Sequence, residues 1–230
     1  MLKTTPSSPT GLGYFSRIEL RNNTEARAFV ARSSLDGYGL HQALWRLFRA
    51  EPGTLRDFLY RVIDNAEQPA FYVVSKRPPI ADSRIWQVHS RDYAPHLQVG
   101  DQLVFSLRAN PTVKRAPAPG TRSIRHDVVM NARHRHGAEP NSTEDLYHQA
   151  GATWLSRRAM AAGFQIERIR VDGYRRHQLY KRGKAPIVFG TLDFEGLLTV
   201  VEPTEFCQTL MNGIGSAKSF GCGLLLVRRA

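Results

Sequence analysis

Near the C-terminal end of the chain, Gly213, Gly215, Gly221 and Gly223 surround a single lysine, Lys218, with Ser219 beside it. Glycine tolerates positive φ and carries no Cβ, so successive backbone N–H groups can close on an anion while the lysine adds a mobile charge. Two nucleotide sites are excluded. A Walker loop requires glycine directly before its lysine, and Ala217 stands there; a dinucleotide fingerprint must open a βαβ unit of ~30 residues, and too little chain follows. What remains is a phosphate cradle or a glycine-rich turn joining a helix to a closing strand. A second cluster, Arg175, Arg176, Lys181, Arg182 and Lys184, offers phosphate contacts or a solvated charge run.

The 230 residues hold 32 Lys and Arg against 20 Asp and Glu, a formal +12 that favours a polyanionic partner, nucleic acid before an acidic membrane surface. No apolar run approaches the ~20 residues of a spanning helix, and the opening residues lack a signal-peptide hydrophobic region, so a cytoplasmic protein is expected. Cys207 and Cys222 lack the C-x-x-C spacing of a zinc site and read as packing residues. His126, His134 and His136 fall in an Arg-rich stretch without accompanying ligands, so neither a metal nor a cofactor is expected.

Positioning these groups falls to alternating strands and a few helices. Residues 14–20, 58–63, 70–75, 85–88 and 102–111 read as strands; a helix capped by Ser34 or Asp36 carries Leu40, Leu44, Leu47 and Phe48 and ends at Pro52-Gly53. A second helix starts near 142–145 and ends at Gly163; strands at 164–171 and 187–200 follow, then a helix over 202–211 and a final strand. The reading is α+β, two tandem ferredoxin-like (RRM-like) domains. A flexible tail occupies 1–13, the N-terminal domain 14–113, a basic linker or mobile loop 114–141, and the C-terminal domain 142–230.

Four blocks, residues 37–48, 107–112, 194–200 and 213–225, resemble in content and order the CasE family, the CRISPR repeat endoribonucleases of type I-E systems. The likeness spans nearly the whole chain except the opening tail and the middle basic segment. It implies tandem ferredoxin-like domains and metal-independent cutting of precursor CRISPR RNA at the base of each repeat hairpin. It also implies retention of the product and assembly into Cascade; the free chain is expected to be a monomer.

In that family the histidine of a Tyr-x-x-His stretch is catalytic, which maps onto His41 with Tyr38 beside it; the position five residues further on, here Arg46, commonly donates a hydrogen bond or carries charge. Without the resemblance, His41 reads as a partly exposed helix residue and Tyr38 as a packing aromatic. The resemblance also implies that the basic stretch grips the repeat stem; Gly213, Gly215, Lys218, Ser219 and Gly221, read as a phosphate cradle, are expected to hold RNA backbone near the cut. Arg108, at a strand end, is a further contact or a brace. The alternative is a non-catalytic RNA-hairpin-binding subunit that has lost cleavage.

Overall fold

The computed structural model describes residues 11–32, 37–48, 55–64, 66, 68–81, 83–115, 124–136, 143–180 and 185–230. Its first part runs β1 (Gly13–Leu20), α1 (Thr24–Arg32), α2 (Gly37–Trp45), β2 (Phe58–Val62), β3 (Ala70–Ser75) and β4 (Trp86–Tyr93). All pairings are antiparallel, and the order is β2-β3-β1-β4. This is the ferredoxin-like arrangement with no helix among the described residues between β3 and β4. In α1, which the sequence reading did not anticipate, Asn23 Oδ1 accepts the Ala26 N–H at 2.8 Å, satisfying one of the amides that a helix start leaves unpaired. Leu44, Leu47 and Phe48 are buried from α2 and the turn after it, and Phe48 stacks on Phe58 with ring centres 4.5 Å apart.

The second part comprises β5 (Gln102–Ala109), β6 (Thr112–Arg115), β7 (Ile124–Asp127), α3 (Val128–His136), α4 (Thr143–Ala159), β8 (Phe164–Leu179), β9 (Ile187–Val200), α5 (Pro203–Asn212) and β10 (Leu225–Arg229). Its antiparallel sheet has the order β10-β5-β9-β8, which repeats the topology of the first with β5 as opening strand. Two expectations are corrected here. Residues 102–111, assigned above to the N-terminal half, supply the first strand of the second sheet, because β5 pairs on both sides with β9 and β10. The stretch read as a linker over 114–141 contains the end of β6, β7 and α3. Val128 and Val129 from α3 are buried in the second core beside Trp154, Leu155 and Phe194.

Acidic Glu144 and Asp145 in the first turn of α4, and Arg157 and Arg158 in its last, complement the helix dipole. Gly163 ends that helical stretch at φ 84°. β8 extends beyond the expected 164–171 and forms a long hairpin with β9. Register shifts at Ile166/Arg168 and Asp172/Arg175 bend it, so Arg175 and Arg176 lie on its distal arm opposite Thr191 and Gly190. No helix among the described residues is long and apolar enough to cross a membrane.

Candidate RNA-processing site

α5 ends at Gly213, whose φ of 71° and ψ of 168° suit only glycine, and the chain then makes a closed loop. The Ile214 N–H donates to the Gly223 carbonyl at 2.9 Å, and the Gly223 N–H donates to the Arg108 carbonyl at 2.7 Å, tying both ends to β5. Ser216 pairs with Asn110, its hydroxyl donating to Asn110 Oδ1 at 2.9 Å. Inside the loop, Ala217 takes φ 56° and Lys218–Phe220 form one 3₁₀ turn.

The glycines answer two physical demands. Backbone at Gly213, Gly215, Gly221 and Gly223 has positive φ, and a Cβ on Gly213 would lie 2.6 Å from the Gly223 oxygen. The amides of Gly213, Ile214, Phe220 and Gly223 all bond backbone carbonyls, so these four close the loop and do not turn outward. Of the residues expected to hold RNA backbone, Gly213 therefore turns its amide inward, and the reading is left with Gly215, Lys218, Ser219 and Gly221.

Lys218 is half-buried, its Nζ donates to the Asn212 carbonyl at 2.7 Å, and burial followed by the nearby Arg56 charge lowers its pKa. Two residues that sequence reasoning missed brace Ser219. The Arg56 guanidinium donates to its hydroxyl at 3.2 Å, and the buried Tyr60 hydroxyl donates to its carbonyl at 3.0 Å. Burial pushes the Tyr60 pKa up, keeping the phenol a donor. Nothing local could have revealed these pairs, since the partners lie 163 and 159 residues apart in sequence.

α2 packs against this same 3₁₀ turn. The helix that bears Tyr38 and His41 thus meets the loop that bears Lys218, across the junction of the two sheets. The side chains of Tyr38 and His41 fall outside the described residues, as do Lys181, Arg182 and Lys184 entirely. Arg46 is exposed just beyond α2.

Beside the loop lies a cleft of about 450 Å³, lined from the first sheet by Tyr60 and Phe71, from the second by Arg108, His177 and Thr191, and from the loop itself by Phe220. His177 stacks on Phe189 at 4.8 Å, and Phe189 on Phe220 at 5.2 Å, so the β8–β9 arm is fastened to the glycine loop by a run of aromatic faces. Nε2 of His177 is 2.9 Å from Thr191 Oγ1. Burial first, then the charges of Arg108 and Arg175, lowers the His177 pKa from its ordinary 6.5.

Arg175 and Arg176 are exposed and open to solvent. Arg108 is spoken for. It forms a forked pair with Asp193 at 2.7 and 2.8 Å and a second with Asp64 at 2.9 and 3.3 Å, which raises its pKa. Burial tends to raise the Asp64 pKa, yet the Arg108 hydrogen bond and neighbouring arginine charges outweigh it and leave the carboxyl below its usual value. Cys222, buried beneath the loop, is pushed up to about 12 chiefly by burial and is a packing thiol.

Comparison with known proteins places this geometry in context. The model of a family described as CRISPR associated protein matches residues 13–229. The chain is 30% identical over 210 residues to the Escherichia coli CRISPR system Cascade subunit CasE, covering 87% of this chain and 96% of that one. It is 31% identical over 205 residues to the Thermus thermophilus CRISPR-associated endoribonuclease Cse3, covering 82% and 81%. A solved structure of Thermus thermophilus Cse3, bound to an RNA representing a pre-cleavage complex, superposes with a TM-score of 0.67 at 26% identity, covering 94% of this chain and 98% of that one. With matching topology in both sheets and a match along nearly its whole length, the chain belongs to the CRISPR-associated protein family and is of the CasE type.

Proposed function

We infer that this protein is an endoribonuclease that processes CRISPR RNA, cutting the precursor at the base of the repeat hairpin and keeping the product within Cascade. The observation that carries the reading is the packing of α2, with its Tyr38-x-x-His41 sequence, against the Lys218–Phe220 turn. It brings the helix that carries His41 in its sequence to the loop that carries Lys218.

The RNA supplies its own nucleophile. The 2′-oxygen attacks the adjacent phosphorus, the O2′–P bond forms as the P–O5′ bond breaks, and the ends are a 2′,3′-cyclic phosphate and a 5′-OH. One proton leaves the 2′-hydroxyl and one reaches the departing 5′-oxygen. His41 suits that proton transfer because imidazole titrates near neutral pH, and Tyr38, three residues earlier in α2, shares its helical face and can hold the 2′-OH or the phosphate. Lys218 offsets charge on the phosphoryl oxygens. Arg46 lies off the Tyr38–His41 face, so any contact it makes depends on the length of its side chain.

Repeat-hairpin RNA incubated with the protein in EDTA is expected to yield a cyclic-phosphate end, and a single 2′-deoxy substitution at the cut is expected to block cleavage. His41→Ala is expected to slow single-turnover cutting by ~10²–10⁴ while hairpin affinity holds. Cleavage of the deoxy substrate, or an equal loss of binding and rate, would overturn the mechanism. Tight binding by the unaltered protein without cutting would assign it as a non-catalytic hairpin-binding subunit.

A further inference from the structure

Between β6, α3 and α4 runs a groove of about 730 Å³ whose charged lining is Lys114, Arg115, Arg135, Arg157 and Arg158, with no Asp or Glu among its lining residues. Arg158 is part of the scaffold: its guanidinium donates to the carbonyls of Trp154 and Thr112 and lies 4.3 Å over the Trp154 ring. Lys114, Arg135 and Arg157 are exposed. None of these three forms an ion pair among the described residues.

The β6–β7 register sets Lys114 directly opposite Arg125, a like-charge cross-strand pair that is unfavourable unless an anion sits between its members. The groove adjoins the glycine loop through Trp154, one of its lining residues, and through Thr112 beside it. Thr112, the first residue of β6, has its hydroxyl 3.2 Å from Ser216 Oγ, and a Cβ on Gly215 would lie 3.1 Å from the Trp154 ring.

We propose that this groove carries the single-stranded RNA that flanks the repeat hairpin, leading it away from the cut past Lys114, Arg135 and Arg157. The assignment rests on the RNA-cutting reading above. A cationic channel with apolar floor positions such as Val113 and Val128 suits one strand, whose phosphates follow the charge while its bases lie on the floor. An acidic protein segment would answer the charge as well, but the groove's position beside the glycine loop favours the RNA that the loop is proposed to hold.

The test uses three hairpins made uncleavable by a 2′-deoxy nucleotide at the cut: one bare, one with a 5′ single-stranded extension of about eight nucleotides, one with the same extension at the 3′ side. One extension is expected to raise affinity and steepen the salt dependence. In R135Q/R157Q that gain should fall about tenfold, and the logarithmic salt slope should drop by about 1.4, or ~0.7 for each lost single-strand contact, while binding of the bare hairpin stays as it was.

An equal loss on all three RNAs, or no gain from either extension, overturns the proposal; in the latter case the groove faces an acidic protein or nothing. The two readings fail separately. If the unaltered protein does not cut an ordinary bare hairpin, the nuclease reading falls; if it cuts that hairpin but ignores both extensions, only the groove assignment does.

Discussion

Two arginine-bearing regions, the seam between the sheets and the β8–β9 arm, differ in what folding leaves of their charge. At the seam between the sheets, Arg108 is gripped by Asp193 and Asp64, and Arg61 donates to Ser106 Oγ at 2.8 Å. On the β8–β9 arm, Arg175 and Arg176 face solvent. The formal +12 is therefore not spread evenly as binding potential. Cations at the seam hold the two halves together, and cations on the arm remain available to a polyanion. His177 stands where the regions meet and feels both Arg108 and Arg175.

The sharpest way to break this contrast is Arg108→Ala. It strands two carboxylates, and stability is expected to fall by about 2 kcal/mol, less than the ~3–5 kcal/mol of a fully buried pair because Asp64 is half exposed. Urea titration reads the loss, while the salt slope of hairpin binding should hold. A changed slope with intact stability would move Arg108 to the RNA-facing group.

Next in size, replacing Arg175 and Arg176 together by alanine should leave the urea midpoint in place and flatten the salt dependence of hairpin binding by roughly one logarithmic unit per lost phosphate contact. An unchanged slope would take the arm out of the interface.

The smallest effect concerns His177. Its folded pKa lies below 6.5, so between the two values the unfolded chain binds more protons, and stability rises with pH through the window ending near 6.5. Below the folded value the protonation penalty is fully present; above 6.5 it is gone. His177→Gln should flatten that rise in thermal melts recorded from pH 5 to 7.5, conditions bracketing the unperturbed histidine value near 6.5. A rise of unchanged size would place the titrating group elsewhere.

Much of the fold was legible because its signals are local. Alternation marks β1, a run of aromatic and β-branched residues marks β3, and the expected strand 70–75 coincides with Ala70–Ser75. Gly163 marks the end of the helical stretch after α4 through its left-handed backbone. α1 escaped notice although Ala26 is buried and Phe29 and Val30 half-buried at helical spacing, since such a short stripe is hard to tell from a loop. α3 escaped for the opposite reason: apart from Val128 and Val129, its composition is that of a basic loop. Assignment of β5 to the wrong half reflects a different limit, because a strand's own residues do not say which sheet edge will take it.

Of the site, the sequence by itself determined the types and local spacing of the working residues: Tyr38 one helical turn before His41, a lysine among glycines, and a run of arginines. It also determined a surplus of positive charge that folding could not neutralise. Only the tertiary structure decided which charges are spent at the seam, that Arg56 and Tyr60 brace Ser219, that four loop amides are used to close the loop, and that α2 meets it. The physical reason is that backbone preference and periodicity act over a few residues. Ion pairing, burial and the meeting of two sheets join residues that lie, as Tyr60 and Ser219 do, 159 positions apart.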